Sequence, residues 1–223
     1  GGGKPATLRL ARLLAPRSGQ RVLDVGGGLG GPARTLAVEF GCDVTVLDLT
    51  ESFVRAAREL TRRLGLGDRV RHEVGNALTL PYTDGAFDIV WTQNSGMNIE
   101  DKAGLYRGFH RVLRPGGRLA LQEPMAGPVQ PCHFPLMWAR DASTSFLWPP
   151  AGMRALISDT GFTERAWEDV TAETATPATA ENIPAHSAQR LIMGGALDEI
   201  IAVNHRNRAE GRMVSIQAVF ERR

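Results

Sequence analysis

The run Arg21-Val22-Leu23-Asp24-Val25-Gly26-Gly27-Gly28-Leu29-Gly30-Gly31-Pro32 constrains this chain more than any other stretch. A short β-type segment breaks into glycines, and Pro32 then stands at a first helical position, where its missing N–H costs nothing. The reading is strand, tight glycine turn, helix. A Cβ in such a turn would collide with a close ligand or forbid the backbone its path, so Gly26-x-Gly28 marks a place where backbone amides approach a bound group.

The alternation continues along the chain. Ala33, Leu36, Ala37 and Phe40 share a helical face that Gly41 ends, and Asp43 to Leu47 makes a second strand finishing at Asp48. Thr50 is placed to cap a helix bearing Phe53, Ala57, Leu60 and Leu64, and Arg69 to Val74 reads as a third strand. Asp84-Gly85 turns into a fourth strand at Phe87 to Thr92, and Asp101 opens a helix carrying Leu105, Phe109, Val112 and Leu113, which Pro115-Gly116-Gly117 stops. Arg118 to Gln122, Arg165 to Val170 and Met213 to Phe220 supply the fifth to seventh strands, with a short helix around Met153, Leu156 and Ile157 and helical character over Ser187 to Glu210. Strands alternating with helices predict an α/β fold, a mostly parallel sheet with helices on both faces.

Composition narrows the class. The 223 residues, 43% apolar and 22% charged, suit one globular domain. Lys plus Arg is 26 against 24 for Asp plus Glu, an excess too small to point to nucleic acid or an anionic membrane. Cys42 and Cys132 lie far apart, without disulfide-framework or metal-ligand spacing, so no metal is expected and a reducing cytoplasm is the simplest compartment. No apolar run reaches the 18 or so residues of a membrane span. Six of the 13 prolines and two of the four tryptophans fall between Pro124 and Pro150, which marks a functional loop or lid, while Thr171 to Pro184 reads as a mobile connection.

Asp48 lies 20 residues beyond Gly28 at a strand end, where a carboxylate accepts hydrogen bonds from both hydroxyls of a ribose. The bland alternative is that the glycines only make the turn and Asp48 caps the next helix. Gly26, Gly28 and Gly31 fit a dinucleotide pattern, while Asp24 with Gly26, Gly28 and Gly30 fits the nucleoside loop of S-adenosylmethionine methyltransferases. The glycines alone do not choose.

Two later segments do. Leu80-Pro81-Tyr82-Thr83-Asp84-Gly85-Ala86-Phe87-Asp88-Ile89-Val90 and Arg111-Val112-Leu113-Arg114-Pro115-Gly116-Gly117 closely resemble the segments flanking the fourth and fifth strands of class I S-adenosylmethionine-dependent methyltransferases. With Val22 to Gly28 they make three ordered matches across about residues 21 to 123, and Trp91 to Ile99 is similar to the small-molecule branch of ubiquinone/menaquinone-biosynthesis, tocopherol and sarcosine/dimethylglycine methyltransferases. The resemblance implies a Rossmann-like, seven-stranded, mostly parallel sheet with the last strand antiparallel and a small C-terminal insertion as a cap, with a cofactor-binding half at 1–123 and a substrate-side half at 124–223 with a lid at 171–212, all in one domain. It also implies S-adenosyl-L-methionine as cofactor, with S-adenosyl-L-homocysteine released and a small-molecule N, O or C nucleophile methylated.

Carried over by residue, Asp24, Gly26, Gly28 and Gly30 would line the methionine and ribose side, Asp48 would hold the ribose diol, and Leu49 would pack on the adenine. Asn76-Ala77 stands where the family usually has Asp-Ala; an amide oxygen accepts the adenine amino bond equally well. Gln93 would face the methionyl part and the substrate, as a positioning residue, and Asn94 stands where relatives often carry His. Only about 20 residues precede the first strand, where the family usually has a longer helical N-terminus.

Methyl transfer demands mainly position, and a base only where the nucleophile carries a proton that must leave early. His133, in the Pro-rich loop, is the sequence's candidate base, against the plainer role of a loop histidine held by hydrogen bonds. His72 and His110 read as structural, and His186 and His205 as lid or solvent residues. Met125, Phe134, Met137, Trp138, Phe146 and Trp148 would make an adaptable apolar wall, with Arg140 or Arg190 available to a substrate carboxylate or phosphate. The rivals are an NAD(P)-dependent oxidoreductase, which leaves the later motifs unexplained; a nucleic-acid methylase, which Thr92-Gln93-Asn94-Ser95 and the absence of a basic stripe disfavour; and a catalytically silent cofactor-binding subunit. A homodimer stays open.

Overall fold

The computed structural model describes residues 2–174 and 187–223. The strands are β1 (Arg21–Val25), β2 (Asp43–Asp48), β3 (Val70–Val74), β4 (Phe87–Gln93), β5 (Leu113–Ala126), β6 (Phe162–Asp169) and β7 (Met213–Arg222), in the sheet order β3-β2-β1-β4-β5-β7-β6. The β1–β2, β2–β3, β1–β4 and β4–β5 pairs are parallel, and β7 runs antiparallel to both β5 and β6. The expected sheet is therefore present, with β7 alone reversed. Strand order changes direction between β1 and β4, so their carboxyl ends open a crevice there.

Alternating side chains feed two cores, one on each face of the sheet. Val22, Val44, Val46, Ile89 and Trp91 pack on α1 (Gly3–Leu14) and α2 (Gly31–Phe40). Leu23, Val25, Val90, Leu119, Leu121 and Phe220 pack on α4 (Lys102–Val112) and α5 (Pro150–Asp159). On the α2 face, α3 (Glu51–Arg63) meets β3 through a 2.8 Å bond between Thr61 Oγ1 and His72 Nε2. Burial, helped by Arg34 and Arg58, pushes His72 down to about 4, so it stays neutral and structural, as expected. His110 likewise serves packing, edge-on to Phe162.

The structure differs from the sequence reading in three places. The residues ahead of β1 form α1, whose Ala6, Leu10, Ala11 and Leu14 are buried, and Arg118 donates to the carbonyl of Leu14 at its end. Pro115-Gly116-Gly117 does not stop α4, which ends at Val112; the glycines bulge out of β5 between the Phe87–Leu113 and Ile89–Arg118 pairings. Thr50 occupies the N-cap of α3 without a side-chain bond, its N–H going instead to Asp48 Oδ1 at 2.9 Å.

The C-terminal insertion folds as α6 (Ala188–Met193), a 3₁₀ turn and α7 (Leu197–Ala209) ahead of β7. Of the expected connection at Thr171 to Pro184, residues 171–174 form a turn; the remainder, with His186, lies outside the described residues. No helix among the described residues is long and apolar enough to cross a membrane.

Asp101 caps α4 as its sequence position predicts, accepting from Gly104 N at 2.7 Å. Asp101→Ala is expected to lower stability by about 1 kcal/mol, read from urea unfolding; an unchanged midpoint would show that the cap contributes nothing.

Candidate functional site

Three clefts meet at the crevice between β1 and β4. The first is lined by Gly3, Lys4, Thr7, Asp24, Gly26, Gly27, Gly28 and Gln93. The second is lined by Asp48, Leu49, Phe53, Asn76, Ala77, Ser95 and Ile99. The third, a cavity of about 360 Å³, lies among Met97, Pro124, Met137, Trp138, Leu197, Ile201, Arg208 and Ser215. Asn94 lines all three, at φ +57°, a left-handed backbone that costs a non-glycine residue energy.

The glycine turn is built for a close approach. Gly26 has φ +71°, and a Cβ there would lie 2.3 Å from that of Ser95. Gly28 has φ +54° with open space beside it. Its N–H donates to Asp48 Oδ2 at 2.8 Å, and Thr50 N–H donates to the other oxygen, so the carboxylate is oriented with lone pairs to spare. Asp48 thus fixes the turn and the start of α3, and it also lines the second cleft. Gly30 behaves differently from the expectation that it lines the cofactor side. It lines none of the three clefts; it ends the turn at φ +75°, where a Cβ would lie 2.5 Å from the His72 ring.

Asp24 is fully buried and neither carboxylate oxygen has a hydrogen-bond partner. Burial, with the charge of Asp48 adding to it, pushes its carboxyl up to about 7. A buried acceptor pair lining an open cleft is a demand for an external donor or cation. Leu49 is 72% exposed over the second cleft, an apolar face available to a planar ring. Asn76 Oδ1 accepts from Leu78 N at 2.9 Å, which holds the amide at the cleft edge.

Gln93 is positioned from both sides: Thr7 Oγ1 donates to Gln93 Oε1 at 3.1 Å, and Gln93 Nε2 donates to Gln122 Oε1 at 3.3 Å. Gln217 Nε2 bonds both Gln122 Oε1 and the carbonyl of Ala6, which fastens α1 over this corner. The loop after β4 is held by Glu123, a residue the sequence reading passed over. Its Oε1 accepts from Gly96 N at 2.9 Å, Ser95 N at 3.3 Å and Thr92 Oγ1 at 3.3 Å. Burial raises the Glu123 carboxyl pKa against these bonds, and it lowers the nearby Lys102, which donates to the carbonyls of Gly96 and Ile99, to about 8. An acid immediately past the expected end of β5 was the available signal.

His133, the candidate base, lines none of the three clefts. Its Nε2 lies 2.9 Å from Glu210 Oε2, and its backbone N–H and C=O pair with the Asn207 amide at 2.8 and 2.9 Å. The geometry is that of a clasp joining the Pro-rich loop to α7. Of the six residues expected as an apolar wall, Met137 and Trp138 line the cavity, whereas Met125 is buried in the core under α4 and α5. Arg140 and Arg190 are not among the lining residues; Arg208 is.

Residues 23–121 match the family model described as a methyltransferase domain. The sarcosine/dimethylglycine N-methyltransferase of Halorhodospira halochloris is 33% identical over 168 residues, 73% of this chain and 57% of that protein. The chain spans 19% to 57% of the length of the curated relatives it matches. Among solved structures, the [4+2]-cyclase SpnF superposes with a TM-score of 0.78 at 26% identity, over 98% of this chain and 80% of that one. Geranyl diphosphate C-methyltransferase from Streptomyces coelicolor A3(2), in complex with Mg2+, geranyl diphosphate and S-adenosyl-L-homocysteine, has the same fold, with a TM-score of 0.82 at 20% identity over 98% and 77%.

The Asp24 carboxyl stands well above its ordinary value of 3.8, so it contributes stability below about pH 4 and that contribution is lost as pH rises through about 7. Asp24→Asn removes the ionisation. The ligand-free variant is expected to melt higher than the parent at pH 8 and to converge with it near pH 4; thermal melts across that range check this, and a difference independent of pH contradicts it.

Proposed function

We infer that this chain, whose residues 23–121 belong to the methyltransferase domain family, binds S-adenosyl-L-methionine in the two clefts flanking the glycine turn and methylates a small organic molecule seated in the third. The observation that carries the reading is the unpartnered, buried Asp24 carboxylate beside the Gly26–Gly28 turn, a fit for a ligand that brings an ammonium group and a ribose together. In this reading Asp24 takes the ammonium end, Asp48 the ribose hydroxyls, Leu49 and Ala77 the faces of the adenine, and the Asn76 amide its edge. Gln93 and Asn94 stand between cofactor and acceptor. Because a [4+2]-cyclase shares the architecture, the reaction is argued from these residues and not from the fold.

Bound S-adenosyl-L-methionine supplies a methyl carbon activated by a positively charged sulfur. Asp24, Asp48, Leu49, Asn76 and Ala77 would hold it with that methyl offered for in-line transfer to an acceptor lone pair, with S-adenosyl-L-homocysteine as the product. The chain's part is to bring the two clefts and the cavity into one line of approach, which the loop held by Glu123 does, since Asn94 to Ile99 borders all three. Near-attack positioning of this kind is worth up to about 7–11 kcal/mol. Among the described residues lining the cavity none is His, Asp, Glu, Lys, Cys or Tyr. That lining suits an acceptor atom with a free lone pair near neutral pH, and His133 serves as the clasp of the substrate-side loop.

The N-terminal half to about residue 123 holds the cofactor in this account, and the segment from 124 closes the acceptor side. Nucleic acid is not a substrate of this reading, because the cavity is a small pocket and Arg208 is the one cationic side chain among the described residues lining it. The two cysteines are free, which suits a cytoplasmic setting. Asp48→Ala is expected to weaken S-adenosyl-L-homocysteine binding by about 1–3 kcal/mol through loss of charge-assisted bonds. Calorimetric titration of parent and variant tests this, and equal affinities would remove Asp48 from the ribose site.

A further inference from the structure

The acceptor cavity contains one feature that neither the fold nor methyl transfer requires. Arg208, in the last turn of α7, lines it as a half-buried side chain whose Nε is withdrawn from water. Its Nη1 donates to the Thr171 carbonyl and to Thr174 Oγ1, both at 3.1 Å. Its Nε is buried with no acceptor. No carboxylate among the described residues lies within 4.0 Å of it, whereas Arg206 and Arg212, on either side in sequence, both pair with Glu210. Burial lowers the Arg208 pKa, with no acidic neighbour opposing the shift. A role as a strut for the turn at Thr171–Thr174 accounts for Nη1 and leaves the rest of a five-donor group unspent.

Resting on the methyltransferase reading, we propose that Arg208 is the specificity-determining anchor for an acceptor that carries an anionic head, a carboxylate or a phosphate, on an apolar body. A half-buried guanidinium without an internal counter-ion is costly, and an oxyanion that enters the cavity supplies the opposing charge. Part of the wall fits the body: Met97, Met137, Trp138, Leu197 and Ile201 are apolar and adaptable, while Asn98, Gln189, Asn204 and Ser215 line the rest. Orientation follows from the shared residue. Asn94 lines the cavity and both cofactor clefts, and Arg208 lines the cavity alone, so an anion held at Arg208 turns the opposite part of the acceptor toward the cofactor.

The test uses the full chain saturated with S-adenosyl-L-homocysteine and three probes of equal length, octanoate, octyl phosphate and octanamide, titrated calorimetrically. At least one anion is expected to bind about ten-fold or more tightly than the neutral amide. The better of the two anions separates a carboxylate acceptor from a phosphate one. Arg208→Gln is expected to abolish the preference while S-adenosyl-L-homocysteine affinity stays unchanged, and Arg208→Lys to keep part of it. Octanamide binding as tightly as both anions, binding of none of the three, or an undiminished preference in Arg208→Gln overturns the proposal. Should Arg208→Gln fail to fold, the parent's own ranking and Arg208→Lys decide. Failure of the parent to bind S-adenosyl-L-homocysteine strikes the methyltransferase reading instead, and the two failures are distinguishable.

Discussion

The Asp48 carboxylate accepts from Gly28 N–H on one oxygen and from Thr50 N–H on the other, and the rest of the site is arranged around that junction. It ties the end of β2 to the turn after β1 and to the start of α3. The turn can then take a left-handed path at Gly26 and Gly28 without stranding its amides. Strand order reverses beside it, so the loop after β4 arrives at the same point, where Ser95 Oγ donates to the Val25 carbonyl at 3.1 Å. A Cβ at residue 26 would lie 2.3 Å from that of Ser95, so the two segments approach this closely only because residue 26 is glycine. Two strand ends and one loop form a single rigid rim, which is what a reaction governed by position needs.

Around that rim the protein holds groups that a stability-optimised fold would avoid. Among the described residues, Asp24 is buried without hydrogen-bond partners, Glu123 has one oxygen satisfied three times and the other not at all, Asn94 takes a left-handed backbone, and Arg208 has no carboxylate beside it. Each costs folding free energy, and each lies on a cleft or directly beneath the loop that borders all three. The cost is offset by two dense cores on either face of the sheet, where the large side chains Trp91, Phe109 and Phe220 are essentially inaccessible to water. Polarity is thereby concentrated at the carboxyl ends of the parallel strands.

How much was legible beforehand depended on whether a signal was local. The strand, glycine turn and helix at Arg21–Phe40, the acid at Asp48 and the seven strands were legible because periodicity and glycine placement are properties of neighbouring residues. α1 was missed because Gly2, Gly3, Lys4 and Pro5 obscure a helical face of Ala6, Leu10, Ala11 and Leu14 that only packing on α2 and β5 reveals. Gly30 fits the cofactor-loop spacing, yet its constraint comes from His72, a residue 42 positions away on another strand. His133 looked like chemistry in a loop because its partners, Asn207 and Glu210, approach only in three dimensions. Arg208 and Glu123 were overlooked for the same reason: burial without a partner is invisible in a sequence.

The most direct test of the central claim is calorimetric titration of the intact chain with S-adenosyl-L-homocysteine, run beside NADH and NADPH under identical conditions. The account predicts micromolar binding of the first alone. Binding of a nicotinamide nucleotide alone would contradict it, since the same glycine turn and Asp48 would then serve a dinucleotide.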